Sequence, residues 1–65
     1  MSRRAEMLAA ADAIERAALG LRDEVERLDR IGLGIFIGAD VLRLRVCELV
    51  AHARMLRQVG ERAAA

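Results

Sequence analysis

The chain has 65 residues, of which 55% are hydrophobic and 32% are charged, with one phenylalanine and no proline, tryptophan or tyrosine. This composition excludes a disordered chain, a collagen-like chain and most β-sandwiches, and it favours an all-α protein. The formal net charge of +1 gives no strong field that would draw the chain to nucleic acid or to an anionic membrane. So short a chain rarely buries enough apolar surface alone, and we therefore expect self-association.

The first predicted helix covers about residues 3–31. Large and small apolar residues alternate along it at spacings of four and three, which places them on one face of a helix. These residues are Met7, Ala11, Ile14, Ala18, Leu21, Val25 and Leu28. Ser2 precedes the helix as a candidate N-cap. Acids followed four residues later by arginine, as in Asp12 with Arg16 and Glu26 with Arg30, are predicted to pair along the helix.

The segment 32–39 is an uncharged connector that contains three glycines. Three structures are open for it. The chain turns back at Gly32 and Gly34 into an antiparallel hairpin, or one continuous helix runs through the segment in heptad phase, or Leu33 to Ile37 form a short strand that pairs between subunits. The hairpin is favoured, because three glycines weaken a continuous helix and glycine readily adopts the left-handed conformation that ends helices.

The connector is unusual for a turn because loops normally face water and carry polar residues. Its apolar character indicates a buried connection or a contact with another chain. We therefore predict that Ile35, Phe36 and Ile37 form an apolar contact, with Phe36 as the anchor.

The second predicted helix covers about residues 40–62 and carries a broader apolar face. Its stripe consists of Leu42, Val46, Leu49, Ala53 and Leu56. A helix that must be covered on more than one side belongs in a bundle. We therefore expect a single domain over residues 1–65, an all-α antiparallel hairpin of two helices that oligomerises, most simply into a four-helix bundle dimer, with both stripes forming the oligomer seam. In layout this is similar to small helical hairpin proteins that dimerise into four-helix bundles, although no residue motif is shared.

Few side chains point to chemistry. Arg43, Arg54 and Arg57 share a face of the second helix and are candidate phosphate contacts, although no aromatic residue is near to stack on bases. Cys47 and His52 are the only side chains that a transition metal would seek. Their separation of five residues places them about 140° apart around a helix, so they cannot chelate one ion. We predict no catalytic site, metal or cofactor.

These features together predict a structural or interaction module, and not an enzyme, whose partner is a second copy of itself and possibly another helical protein. One alternative is a nucleic-acid-binding regulator that uses the arginine face. Another is a self-assembling or membrane-peripheral element that uses the connector. The longest uncharged run, Ile31 to Ala39, is too short to span a bilayer, and a single cysteine suits a reducing cytoplasm.

Overall fold

A computed structural model describes residues 2–63 of the chain. It contains three helices, α1 (Arg3–Arg30), α2 (Gly34–Ile37) and α3 (Ala39–Arg62), and no strand occurs in this part of the chain. The long helices α1 and α3 have 28 and 24 residues and pack against each other. The predicted all-α hairpin is therefore confirmed, whereas the continuous helix and the strand considered for the connector are wrong.

Both ends of α1 are closed by local hydrogen bonds. The side chain of Ser2 accepts a hydrogen bond of 3.1 Å from the backbone N–H of Ala5, as predicted for an N-cap. At the other end the N–H of Leu33 donates to the carbonyl of Leu28 at 2.9 Å, and the N–H of Gly32 donates to the carbonyl of Asp29 at 3.0 Å. With Gly32 at φ +86°, these bonds form a Schellman motif, which stops the helix.

The connector is more ordered than a simple turn. Within the connector predicted over 32–39, one helical turn, α2, occupies Gly34–Ile37. Gly38 then takes a left-handed conformation with φ +65° and serves both as the C-cap of α2 and as the N-cap of α3. Residues with a Cβ rarely adopt this conformation. The chain therefore reverses at two glycines, Gly32 and Gly38, and not at Gly32 and Gly34.

The register between the long helices follows from three hydrogen bonds between their side chains. Arg57 donates to Asp12 at 2.7 Å and to Glu15 at 2.8 Å, near one end of the hairpin. Arg43 donates to Glu26 at 2.9 Å, near the other end. A later residue of α1 is thus bonded to an earlier residue of α3, so the two helices are antiparallel. This register places Ala18 opposite Ala53, and Val25 opposite Val46.

The core of the hairpin is a single line of small residues. The buried hydrophobic residues, spaced seven apart on each helix, are Ala11, Ala18 and Val25 of α1 and Ala39, Val46 and Ala53 of α3. Gly60 continues the line, and a Cβ placed there would lie 3.1 Å from Cδ2 of Leu8. Such small residues let two helices approach closely. The result is a narrow rod of 48 × 17 × 12 Å, in which the largest fully buried side chain is Val25.

Candidate interaction surface

The residues of the predicted oligomer seam fall into two sets with different surroundings. The small members are buried between the two helices of one chain, and these are Ala11, Ala18, Val25, Val46 and Ala53. The large members are only half-buried and flank that line, and these are Met7, Ile14, Leu21, Leu28, Leu42, Leu49 and Leu56. Only the large set is open to a second copy, because the small set is already enclosed.

The position of the large set on α1 follows from helix geometry. Successive residues are about 100° apart around a helix axis. Measured from Ala18, which points at α3, Ile14 and Leu21 are rotated about 40–60° to one side. Glu15 is rotated about 60° to the other side. Ile14 and Leu21 therefore flank the buried line on the side opposite to Glu15.

The same division holds on α3. Measured from Val46, Leu42 and Leu49 are rotated about 40–60° to one side, and Arg43 is rotated about 60° to the other. Because Arg43 and Arg57 bond to acids of α1, the charged flanks of the two helices lie on the same side of the hairpin. The apolar flanks must therefore share the opposite side.

We call this opposite side the apolar face. It consists of Met7, Ala10, Ile14, Ala17, Leu21 and Leu28 of α1 together with Leu42, Leu49, Leu56 and Val59 of α3. A shallow groove at the open end of the hairpin supports the assignment, because Met7 and Ala10 line it together with Leu56 and Val59. The groove has a volume of about 550 Å³ and is flanked by Arg3 and Glu6.

The other side of the hairpin, the ion-pair face, carries two clusters centred on arginine. Arg43 donates to Glu26, to Asp29 at 2.5 Å and to Asp40 at 3.3 Å. Arg57 forms the second cluster with two acids of α1. The hydrogen bond from Arg43 holds the pKa of the Glu26 carboxyl below its ordinary value of 4.5. Partly exposed ion pairs contribute little stability each, but they fix register.

The ion pairs made by the acids of α1 differ from those that the sequence predicts. Asp12 and Glu26 bond across the hairpin to Arg57 and Arg43, and not along α1 to arginines four residues on. The physical reason is position, because both acids lie on the edge of α1 that faces α3. Arg27 does bond to an acid of its own helix, but the partner is Glu24, three residues earlier.

The three arginines proposed as phosphate contacts have unequal surroundings. Arg43 and Arg57 are bonded to carboxylates and are about one-third exposed. Arg54 is exposed, and no carboxylate lies within salt-bridge distance of it among residues 2–63. The acids of α1 therefore neutralise much of the charge that the arginine face would offer to a phosphate.

The connector forms an apolar tip at the closed end of the hairpin. Ile35 and Phe36 are 94% and 84% exposed, while Ile37 is half-buried. Ile31 and Val41 at the adjoining helix ends are also exposed. We use the word tip for Ile31, Leu33, Ile35, Phe36 and Val41. Scattered apolar residues are common on protein surfaces, whereas several exposed apolar residues within one short segment are less usual.

The remaining side chains offer little chemistry. Cys47 and His52 are both exposed on α3. Within residues 2–63, no group of three or more histidine, cysteine or acidic side chains is arranged to hold a metal ion. In the same part of the chain, no helix combines the length and the hydropathy needed to cross a bilayer.

Comparison with known proteins gives no relative of this chain: no protein-family model, curated protein or solved structure matches it. The function must therefore be inferred from the surfaces described above.

The Glu26 cluster predicts a pH dependence of stability. Because the pKa of Glu26 is lower in the folded chain than its ordinary value of 4.5, its bond to Arg43 stabilises the fold above that pH. This contribution is lost as the pH falls through the folded pKa. We expect the free energy of unfolding, measured in urea at a series of pH values from 7 to 3, to fall less for Glu26→Gln than for the parent chain. An equal fall for both proteins would contradict the prediction.

Proposed function

We propose that this protein is a non-catalytic helical module that works by self-association through its apolar face, most simply as a four-helix bundle dimer. One observation carries the proposal. The polar bonds between α1 and α3 lie on the ion-pair face, whereas seven of the nine large apolar side chains that are half-buried on α1 and α3 lie on the opposite face, Leu8 and Val50 being the exceptions. Two-helix hairpins that are apolar on one side bury that side against another helical layer.

The amount of exposed surface supports a second copy as the partner. The accessible surface of the chain is 4798 Å², whereas a compact monomer of 7.1 kDa exposes about 4,100 Å². The excess of about 700 Å² is close to the roughly 800 Å² that each partner buries in a standard stable interface. A second hairpin, with the same half-exposed leucines, offers a matching surface of the same size.

The small hydrophobic core of the hairpin also supports self-association. Alanine and valine are the only side-chain types in the buried hydrophobic line, and they bury far less apolar area than leucine does. Leu21 and Leu49 lie on the same level of the rod, but the hairpin alone covers them only in part. A second copy would enclose them in a layer of four leucines, which is the usual core of a four-helix bundle.

The nucleic-acid alternative has less support. Arg43 and Arg57 are bonded to acids of the same chain, so binding to phosphate would have to break those bonds. The membrane-peripheral alternative depends on the tip alone. The charged residues next to the tip give no excess of positive charge that would hold it at an anionic bilayer, because Asp29 and Asp40 are paired with Arg43.

Neighbouring alanines allow a sharp test of the apolar face. Ala10 lies in the groove on that face, whereas Ala9 is exposed and points away from α3. We expect Ala10→Glu to weaken self-association at least tenfold in sedimentation equilibrium, because the dimer would bury an unpaired carboxylate. Ala9→Glu makes the same chemical change on the same helix and should leave self-association unchanged.

Circular dichroism of both variants controls for folding, since glutamate is nearly as good a helix former as alanine. Equal self-association of the two variants would place the contact elsewhere than on the apolar face. A parent chain that sediments as a monomer at every concentration would overturn the proposal itself.

A further inference from the structure

The edges of the apolar face carry exposed residues at regular intervals. Spaced seven residues apart, they are Ala10, Ala17 and Glu24 along α1, and Arg45, His52 and Val59 along α3. In a bundle these positions would contact the neighbouring layer first. Their chemistry therefore bears on how a second copy is oriented on the face.

Two symmetric arrangements are available to a pair of hairpins that meet face to face. The two-fold axis lies in the interface, and it runs either along the rod or across it. An axis along the rod brings the two tips to the same end and sets α1 of each copy against α3 of the other. An axis across the rod puts the tips at opposite ends and sets α1 against α1 and α3 against α3.

With the axis along the rod, the register of the hairpin also sets the register between copies. Rotation about this axis does not change the position of a residue along the rod. A residue of α1 therefore contacts the same region of α3 in the second copy that lies opposite it in its own chain. Glu24 therefore lies within about 3 Å along the axis, two residues, of the level of Arg45 of the second copy, a gap that the long side chains span, and this contact occurs twice by symmetry. Ala10 meets Val59 of the second copy, and Ala17 meets His52, so that a small residue faces a large one at both levels.

With the axis across the rod, the same edges match poorly. When the axis crosses the rod near its middle, at the level of Ala17 and His52, Glu24 comes level with Ala10 of the second copy and Arg45 comes level with Val59, so neither charge meets an opposite charge of the second copy. Charges that are partly desolvated without a partner oppose association. The tips would also lie at opposite ends, each next to the open end of the other hairpin, where Arg3 and Glu6 flank the groove.

We infer that the second copy binds with its two-fold axis along the rod, so that Glu24 of each copy pairs with Arg45 of the other and the two tips lie at the same end. This inference rests on the proposed self-association and specifies its geometry. In the single chain, Glu24 bonds to Arg27 and Arg45 to Glu48, in both cases three residues apart on one helix and exposed. Both residues are thus at the surface with weak local partners.

A charge-exchange experiment tests the pairing. We expect Glu24→Arg and Arg45→Glu each to weaken homodimerisation roughly tenfold in sedimentation equilibrium, because like charges then meet twice. Mixing the two variants should give a heterodimer as tight as the parent, since opposite charges meet again at both contacts. The matched control is a mixture of Asp23→Arg with Arg54→Glu, which changes the same charges at exposed positions away from the apolar face and should form no preferred heterodimer.

A distance measurement on an otherwise native surface separates the two arrangements independently. A spin label at Arg30→Cys, in a Cys47→Ala background, lies near the tip on an exposed position. With tips together, the label-to-label distance should be about 25 Å, two helix diameters. A distance approaching the 48 Å length of the rod, in a chain that still dimerises, would overturn this inference and leave the self-association intact. Absence of any dimer would instead overturn both.

Discussion

An Ala18→Leu variant is expected to lose about 1–3 kcal/mol of its unfolding free energy, and more if the helices cannot move apart. Ala18 has no exposed surface and lies at the middle of the buried line, level with Ala53. A leucine there must push α1 and α3 apart or leave its preferred rotamer. A domain this small has a total stability of only about 3–5 kcal/mol. Chemical unfolding followed by circular dichroism should therefore show a large loss of the folded state at room temperature.

The control for that variant is Ala9→Leu, which adds the same atoms to α1 at an exposed position that points away from α3. Surface changes of this kind usually alter stability by less than about 0.5 kcal/mol. Both proteins should be measured at several concentrations, because dimerisation adds to apparent stability. An Ala18→Leu variant as stable as Ala9→Leu would show that the helices do not meet at Ala18.

Local signals in the sequence predict the helices well. The stripes of α1 and α3 follow the heptad spacing, and Ser2 caps α1 as its side-chain chemistry suggests. Both signals act over a few residues of one helix and do not depend on which helix packs against it. The glycines likewise mark the reversal, although the sequence does not show that Gly34 begins a helical turn while Gly38 takes the positive φ.

What lies opposite each stripe cannot be predicted in the same way. An antiparallel contact between α1 and α3 buries the same small residues whether the helices belong to one chain or to two. Ala18 could face Ala53 of the same chain or of another chain. The tight turn at Gly32 and Gly38 is what favours the contact within one chain. The division of the stripe into an enclosed small set and a half-exposed large set therefore depends on three-dimensional structure.

The ion pairs illustrate the same limit. A pair four residues apart is visible in any sequence, so Asp12 with Arg16 is the natural prediction. The pair between Asp12 and Arg57 depends instead on the register of two helices, which the length of the connector sets. The apolar face follows from this register as well, because the arginine bonds decide which flank of α3 lies beside which flank of α1.

The two positive-φ glycines lead to the second large expected effect. In a Gly32→Ala and Gly38→Ala double variant, neither new Cβ meets another atom within 4 Å. The cost is therefore conformational, about 1–2 kcal/mol at each left-handed position. Together these costs approach the whole stability of the hairpin. The heptad phase runs on from Gly32 through Ile35 and Ala39 to Leu42, so a straightened chain keeps one continuous apolar stripe.

We therefore expect the double variant to open into a single long helix and to recover the buried line by exchange, with α1 of one chain packed against α3 of another. Shortened or stiffened hinges commonly produce such swapped dimers. The swapped particle would be about 90 Å long, compared with 48 Å for the hairpin, a difference that small-angle X-ray scattering resolves.

Gly20→Ala is the control, because its new Cβ also meets nothing within 4 Å but Gly20 lies inside α1. This variant should keep the length of the parent and gain up to about 1 kcal/mol of unfolding free energy. A double variant with the parent length and stability would show that the hairpin is held closed by its helix contacts and not by the glycine turn.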